Sequence, residues 1–171
     1  MKRISGRQLG ERHGFAANVA GVADLETLLE FVKAYYEFDG IPYRRSKITT
    51  ALRMLLKNPS LGRVWIIREG HQAVGHAILT FGYDLEFDGP QATITELFIA
   101  DQYRSRGLGR KMVMVIEETC RQLSIGGLEL QVERDNIRAQ SLYKQLGFRV
   151  HDRIPMSKMM GAGSGRVRSE R

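Results

Sequence analysis

The chain has 171 residues, 43% of them hydrophobic, which is enough for one domain with a buried core and too apolar for a disordered polymer. A single cysteine, Cys120, excludes an intrachain disulfide framework and a cysteine-based zinc site. The net charge of +7 (26 Lys and Arg against 19 Asp and Glu) splits into +3 for residues 1–12, +4 for residues 149–171, and 16 of each sign between them, so the excess lies entirely at the ends.

Residues 1–12 form a basic N-terminal extension. Gly14 to Ala23 is rich in Ala and Gly and contains Asn18, which argues against a signal peptide. No apolar run approaches the ~20 residues that span a bilayer, so a cytoplasmic protein with no membrane partner is expected. A first strand precedes an amphipathic helix from Asp24 to Phe38, where Leu25, Leu28, Leu29 and Val32 recur at helical spacing behind Asp24 as N-cap. Asp39-Gly40-Ile41-Pro42 ends it. A second helix is predicted for Ser46 to Lys57. Arg63 to Arg68, Gln72 to Tyr83 and Thr93 to Ile99 read as strands, the last two separated by the turn at Asp88-Gly89-Pro90. Leu108, Met112, Val115, Ile116, Thr119 and Leu123 mark a helix that stops at Gly126-Gly127. Leu128 to Val132 reads as a strand and Asn136 to Leu146 as a helix ended by Gly147. Phe148 to about Met160 reads as one or two final strands. Gly161 to Arg171 (GAGSGRVRSER) is a flexible basic tail. The alternation is that of an α/β chain, with a mixed sheet and helices on its faces.

Chemistry concentrates in Arg104-Ser105-Arg106-Gly107-Leu108-Gly109-Arg110, between a strand and a helix. Such a turn aims unsatisfied helix N–H groups at one point, where the helix dipole adds positive charge and glycine admits a pyrophosphate closely. The stretch lacks the Walker lysine, and Met112 stands where the dinucleotide fingerprint needs its third glycine. It fits (Arg/Gln)-x-x-Gly-x-(Gly/Ala). Downstream, Asn136, Ala139, Leu142, Tyr143, Gly147 and Phe148 match Asn-x-x-Ala-x-x-Leu-Tyr-x-x-x-Gly-Phe at every defined position.

With both motifs in order, the sequence resembles the GNAT superfamily of acetyl-CoA-dependent N-acetyltransferases. The resemblance covers about residues 13–160 and is strongest from Thr93 to Phe148; its spacing is nearest to the spermidine/spermine branch. It implies a mixed, largely antiparallel central sheet of about six to seven strands with helices on both faces. Acetyl-CoA is the implied co-substrate, with its pyrophosphate on the Arg104–Arg110 turn and its pantetheine arm along Leu97, Phe98 and Ile99. An N–H of that strand faces the thioester oxygen, and Asn136 bonds the arm or caps its own helix. Tyr143 stands where the family often carries the residue that protonates the departing sulfur; alternatively it only binds the cofactor. A homodimer is an expectation by resemblance alone.

Glu96 is the general-base candidate. Strand alternation groups it with Ile94 and Phe98 on one face, and an acid lies near this point in many family members. The alternative is a carboxylate salt-bridged at a sheet edge. Gln131 stands at the other position used by some branches and cannot act as a base; Glu133 shares its face. Glu37 and Asp39, and Asp84, Glu86 and Asp88 on one face if extended, would favour a cationic amine acceptor such as a polyamine, a lysine or an aminoglycoside. Tyr35, Tyr36, Phe38 and Tyr43 either line the pocket or belong to the core. His13, His71, His76 and His151 lack metal-ligand spacing and read as exposed or structural, so no metal is expected. Trp65 and Cys120 read as core. The competing functions are acetylation of a protein lysine or N-terminus, and a catalytically silent CoA-binding scaffold whose basic ends touch nucleic acid.

Overall fold

The computed structural model describes residues 14–158 and residue 160. The basic extension, the whole of the 161–171 tail and His13 lie outside the described residues. Five strands form one sheet in sequence order: β1 (Phe15–Val19), β2 (Gly62–Glu69), β3 (Gln72–Asp84), β4 (Gly89–Ile99) and β5 (Gly127–Leu130). The first four pair antiparallel and β5 joins β4 in parallel. This is a mixed, largely antiparallel α/β sheet.

Helices cover both faces because each carries one apolar stripe. On one face, α1 (Leu25–Phe38) and α2 (Arg45–Lys57) bury Leu25, Leu28, Leu29, Val32 and Leu52 against Val64, Ile66 and Ile78. On the other, α3 (Leu108–Gln122) buries Leu108, Met112, Ile116 and Cys120 against Trp65, Ile67, Leu79 and Ile94. The short α4 (Ile137–Gln145) follows β5, and Phe148 packs beneath it against the second core. Burial pushes the Cys120 thiol upward, as suits a small core hydrophobe.

Four expectations are corrected. The sheet has five strands among the described residues rather than six or seven. Residues 148–158 carry no regular structure; Val150, Ile154 and Met156 are 78%, 83% and 92% exposed, so alternation here has no buried face to serve, and Pro155 cannot donate to a ladder. Asp84, Glu86 and Asp88 do not share an extended face. Leu85–Phe87 forms a single 3-10 turn in which the Asp84 side chain accepts from the Glu86 N–H, 2.9 Å, and Glu86 pairs with Arg153, 2.8 Å.

The fourth correction concerns β4. Ile78 stands opposite Glu96 and Leu79 opposite Ile94, leaving Thr95 as an extra residue. This β-bulge flips the alternation. Ile94 therefore faces the α3 core, while Glu96 and Phe98 turn to the α1 side, so the three do not share one face. The Thr95 hydroxyl donates to the Ile78 carbonyl at 3.4 Å.

Gly75 sits opposite Ile99 at the end of β4. A Cβ there would lie 2.1 Å from the Phe98 carbonyl oxygen. Gly75→Ala is therefore expected to destabilise the fold by about 1–3 kcal/mol, read as a lowered Tm in thermal unfolding; an unchanged Tm contradicts the close approach.

Candidate active site

β5 pairs with β4 only over Gln91–Ile94. Beyond the bulge the two strands part, and residues 95–99 of β4 form an open edge facing the chain that leaves β5. The resulting cleft of about 440 Å³ has Ile94–Ile99 on one wall and residues 130–133 on the other. The 103–110 turn closes one end; Asn136, Arg138, Ala139, Leu142 and Tyr143 of α4 flank it, and Tyr35, Phe38 and Asp39 enter from α1. All the expected cofactor-site residues line this cleft except Arg106.

The turn has the backbone its sequence suggests. Ser105 and Gly107 both adopt left-handed conformations, φ 67° and 75°, which curl the chain before α3. The first intrahelical bond runs from the Lys111 N–H to the Gly107 carbonyl, 3.1 Å. Helix geometry leaves the N–H groups of Leu108, Gly109 and Arg110 without intrahelical acceptors. Among the described residues, nothing beyond the adjoining chain lies within 4 Å of a Cβ built on Gly107, so the space over the turn is open to an anionic group.

The arginines are placed differently from a simple phosphate clamp. Arg104 turns back: its Nε–H donates to the Ile99 carbonyl at 2.8 Å, it pairs with Asp101 at 2.8 Å, and its guanidinium lies 4.4 Å from the Phe38 ring centroid. It therefore ties the turn to the end of β4. Arg106 points away, pairing with Glu69 at 2.8 Å, and Arg110 donates to Gln145 on α4 at 2.5 Å. Sequence reasoning missed Arg138, which lines the cleft and donates to the Ser105 hydroxyl at 2.7 Å. Its only sequence signal was a place in the first turn of α4, at an undefined position of the motif.

Asn136 caps α4, its side chain accepting from the Ala139 N–H at 3.1 Å. Tyr143 packs edge-on against Phe148, ring centroids 5.6 Å apart. Burial pushes its phenol above the ordinary value, so the hydroxyl stays protonated as a donor through the neutral range.

Glu96 reaches the cleft with its side chain 13% exposed, and its Oε2 lies 2.7 Å from Nε2 of fully buried His76. Sequence reasoning set His76 aside as exposed or structural; the pair spans 20 residues of sequence, and no local pattern marks it. Phe31, Tyr35 and Phe98 surround the imidazole, with ring centroids 6.1–6.3 Å away. Burial first, and the nearby Glu96 charge second, push the Tyr36 phenol up. Of the acceptor candidates, Tyr35, Phe38 and Asp39 line the cleft, while Tyr36 and Tyr43 pack into the α1–α2 core. Asp84, Glu86 and Asp88 are not among the cleft residues, and exposed Glu37 pairs with Lys33 at 3.7 Å. Gln131 and Glu133 are on the far wall. Among the described residues no helix is long and apolar enough to cross a membrane.

The chain is 32% identical over 93 residues to a Bacillus subtilis (strain 168) protein named as a candidate [ribosomal protein bS18]-alanine N-acetyltransferase, covering 54% of this chain and 57% of that one. It thus spans about half the length of the curated relatives it matches. An integron cassette protein from the mobile metagenome of Cole Harbour Salt Marsh has the same fold, with a TM-score of 0.77 at 23% identity over 88% of this chain and 93% of that one. So does an aminoglycoside N-acetyltransferase solved in complex with CoA, with a TM-score of 0.73 at 16% identity over 88% and 99%. The acetyltransferase (GNAT) family model matches residues 25–148, the stretch that holds both motifs and the cleft, and the chain belongs to that family.

Proposed function

We propose that the chain transfers an acetyl group from acetyl-CoA to a primary amine, by direct attack in a ternary complex, and that the acceptor is a small cationic amine of the polyamine kind. The observation that carries this reading is the meeting, in one cleft, of the open β4 edge, the Gly107 turn, a carboxylate and a half-buried phenol. The turn N–H groups and Arg138 hold the pyrophosphate. Backbone groups of Leu97–Ile99 align the pantetheine arm, and one N–H polarises the thioester oxygen, a contact worth ~2.7–4 kcal/mol where such donors have been removed.

Glu96 takes one proton from the bound ammonium, giving the neutral amine that attacks the thioester carbon. As the C–N bond forms and the C–S bond breaks, the Tyr143 phenol protonates the leaving sulfur and is itself reprotonated by the second amine proton. Glu96 returns the first proton to solvent, so the turnover yields amide, free thiol and one proton. Asp39 and Glu96, beside Tyr35 and Phe38, suit a cationic acceptor.

A panel of polyamines, lysine peptides, N-terminal peptides and aminoglycosides, followed by thiol release, tests the reading. Turnover with the small polyamines is expected to be highest. Preference for peptides moves the assignment to protein acetylation, and CoA binding without turnover moves it to a scaffold. Tyr143→Phe is expected to lower kcat about 100-fold or more. Because burial raises the Tyr143 phenol, any alkaline fall in rate that depends on Tyr143 lies above about pH 10. A Tyr143-dependent fall near neutrality contradicts the donor role.

A further inference from the structure

We infer that His76 is a positioning residue for Glu96, a fixed hydrogen-bond donor that holds one carboxylate oxygen so that the other meets the acceptor amine. The inference rests on the base role proposed for Glu96 and adds a residue to it. His76 is fully buried on β3, and its Nε2 stands 2.7 Å from Glu96 Oε2. Its other ring nitrogen, Nδ1, is buried and has no hydrogen-bond partner among the described residues.

Those two facts select one protonation form. An imidazolium would bury a second N–H donor at Nδ1 with nothing to accept it, inside the shell of Phe31, Tyr35 and Phe98. The tautomer with its proton on Nδ1 would set the Nε2 lone pair against the carboxylate. Only the neutral ring with its proton on Nε2 donates to Glu96 and leaves a bare lone pair among the aromatic rings.

This form defines what His76 does. It has no free proton-accepting position with a route to the cleft, so it does not relay the substrate proton. It engages Oε2, which leaves Oε1 as the oxygen that accepts from the ammonium. The β-bulge at Thr95 is what makes the pairing geometric, since it turns Glu96 toward the α1 side, where His76 lies. Fixing a reacting group in one orientation commonly governs rate over one to two orders of magnitude.

The test uses the full chain with an accepted amine. His76→Leu keeps an apolar side chain but removes the donor, and is expected to lower kcat about 10-fold to 100-fold, with the acetyl-CoA Kd unchanged. His76→Gln retains an N–H donor and is expected to restore most of the rate. In a Glu96→Gln background, His76→Leu is expected to add no further loss. Nitrogen NMR of the imidazole in the wild-type chain, which does not depend on how the variants fold, is expected to show a neutral ring protonated at Nε2. An imidazolium, a proton on Nδ1, or equal losses with and without Glu96 overturns the inference. Full turnover by Glu96→Gln overturns the base role and this inference with it. An inactive Glu96→Gln beside an unaffected His76→Leu overturns the inference alone.

Discussion

Glu96→Gln is expected to lower kcat about 10²- to 10⁴-fold while leaving the fold and the acetyl-CoA Kd unchanged. The substitution is isosteric, and the glutamine oxygen still accepts from His76, whose Nε2 lies 2.7 Å from Glu96 Oε2 in the native chain. In the proposed mechanism it removes the only step that needs a charged carboxylate, the uptake of a proton from the acceptor. A primary alkylammonium has a pKa of about 10, so near neutrality few acceptor molecules are free amines. As pH rises toward that value the free amine becomes abundant and the base is needed less. The ratio of wild-type to Glu96→Gln rates is therefore expected to shrink as pH rises. A constant ratio would show that Glu96 acts through binding or structure instead.

Gly107→Val is expected to weaken acetyl-CoA binding by about 100-fold, more than its effect on stability. Gly107 has φ 75°, a conformation that costs a side-chain-bearing residue roughly 1–2 kcal/mol and a β-branched one more. Among the described residues, nothing beyond the adjoining chain lies within 4 Å of the new Cβ, so the fold has room for it, but the room is the space over the turn that the pyrophosphate would enter. Gly109 supplies the contrast. A Cβ there would lie 3.5 Å from Leu142 of α4, an ordinary contact between the two helices, and Gly109→Ala is expected to keep both stability and affinity. Calorimetry with acetyl-CoA, paired with thermal unfolding, separates the two effects. An unchanged Kd for Gly107→Val removes the cofactor from this turn.

Much of the architecture is legible in one dimension because it is local. The α1 stripe, the breaker at Asp39–Pro42, the glycine turn before α3 and the Asn136 cap each arise from neighbours within a few residues. The candidate cleft is legible for a related reason: both of its motifs lie on single strand-to-helix passages. What the sequence does not reveal is long-range. The extra residue at Thr95 exists only as a mismatch of register between β3 and β4, and it decides which way Glu96 points. The His76–Glu96 pair depends on that bulge. Arg104 reads as a phosphate ligand from its place in the motif, yet the Ile99 carbonyl, Asp101 and Phe38 claim its guanidinium. The acidic alternation at 84–88 fails because the Asp84 side chain closes a turn rather than continuing a strand.

The central claim is that acetyl-CoA occupies the opening between β4 and β5 with its thioester between Glu96 and Tyr143. A crystal structure of the chain with CoA tests it most directly. The account predicts the pyrophosphate on the N–H groups of residues 105–110 beside Arg138, the pantetheine arm along residues 97–99, and the sulfur within reach of the Tyr143 hydroxyl. CoA bound outside this cleft, or with its sulfur remote from both Glu96 and Tyr143, would contradict it.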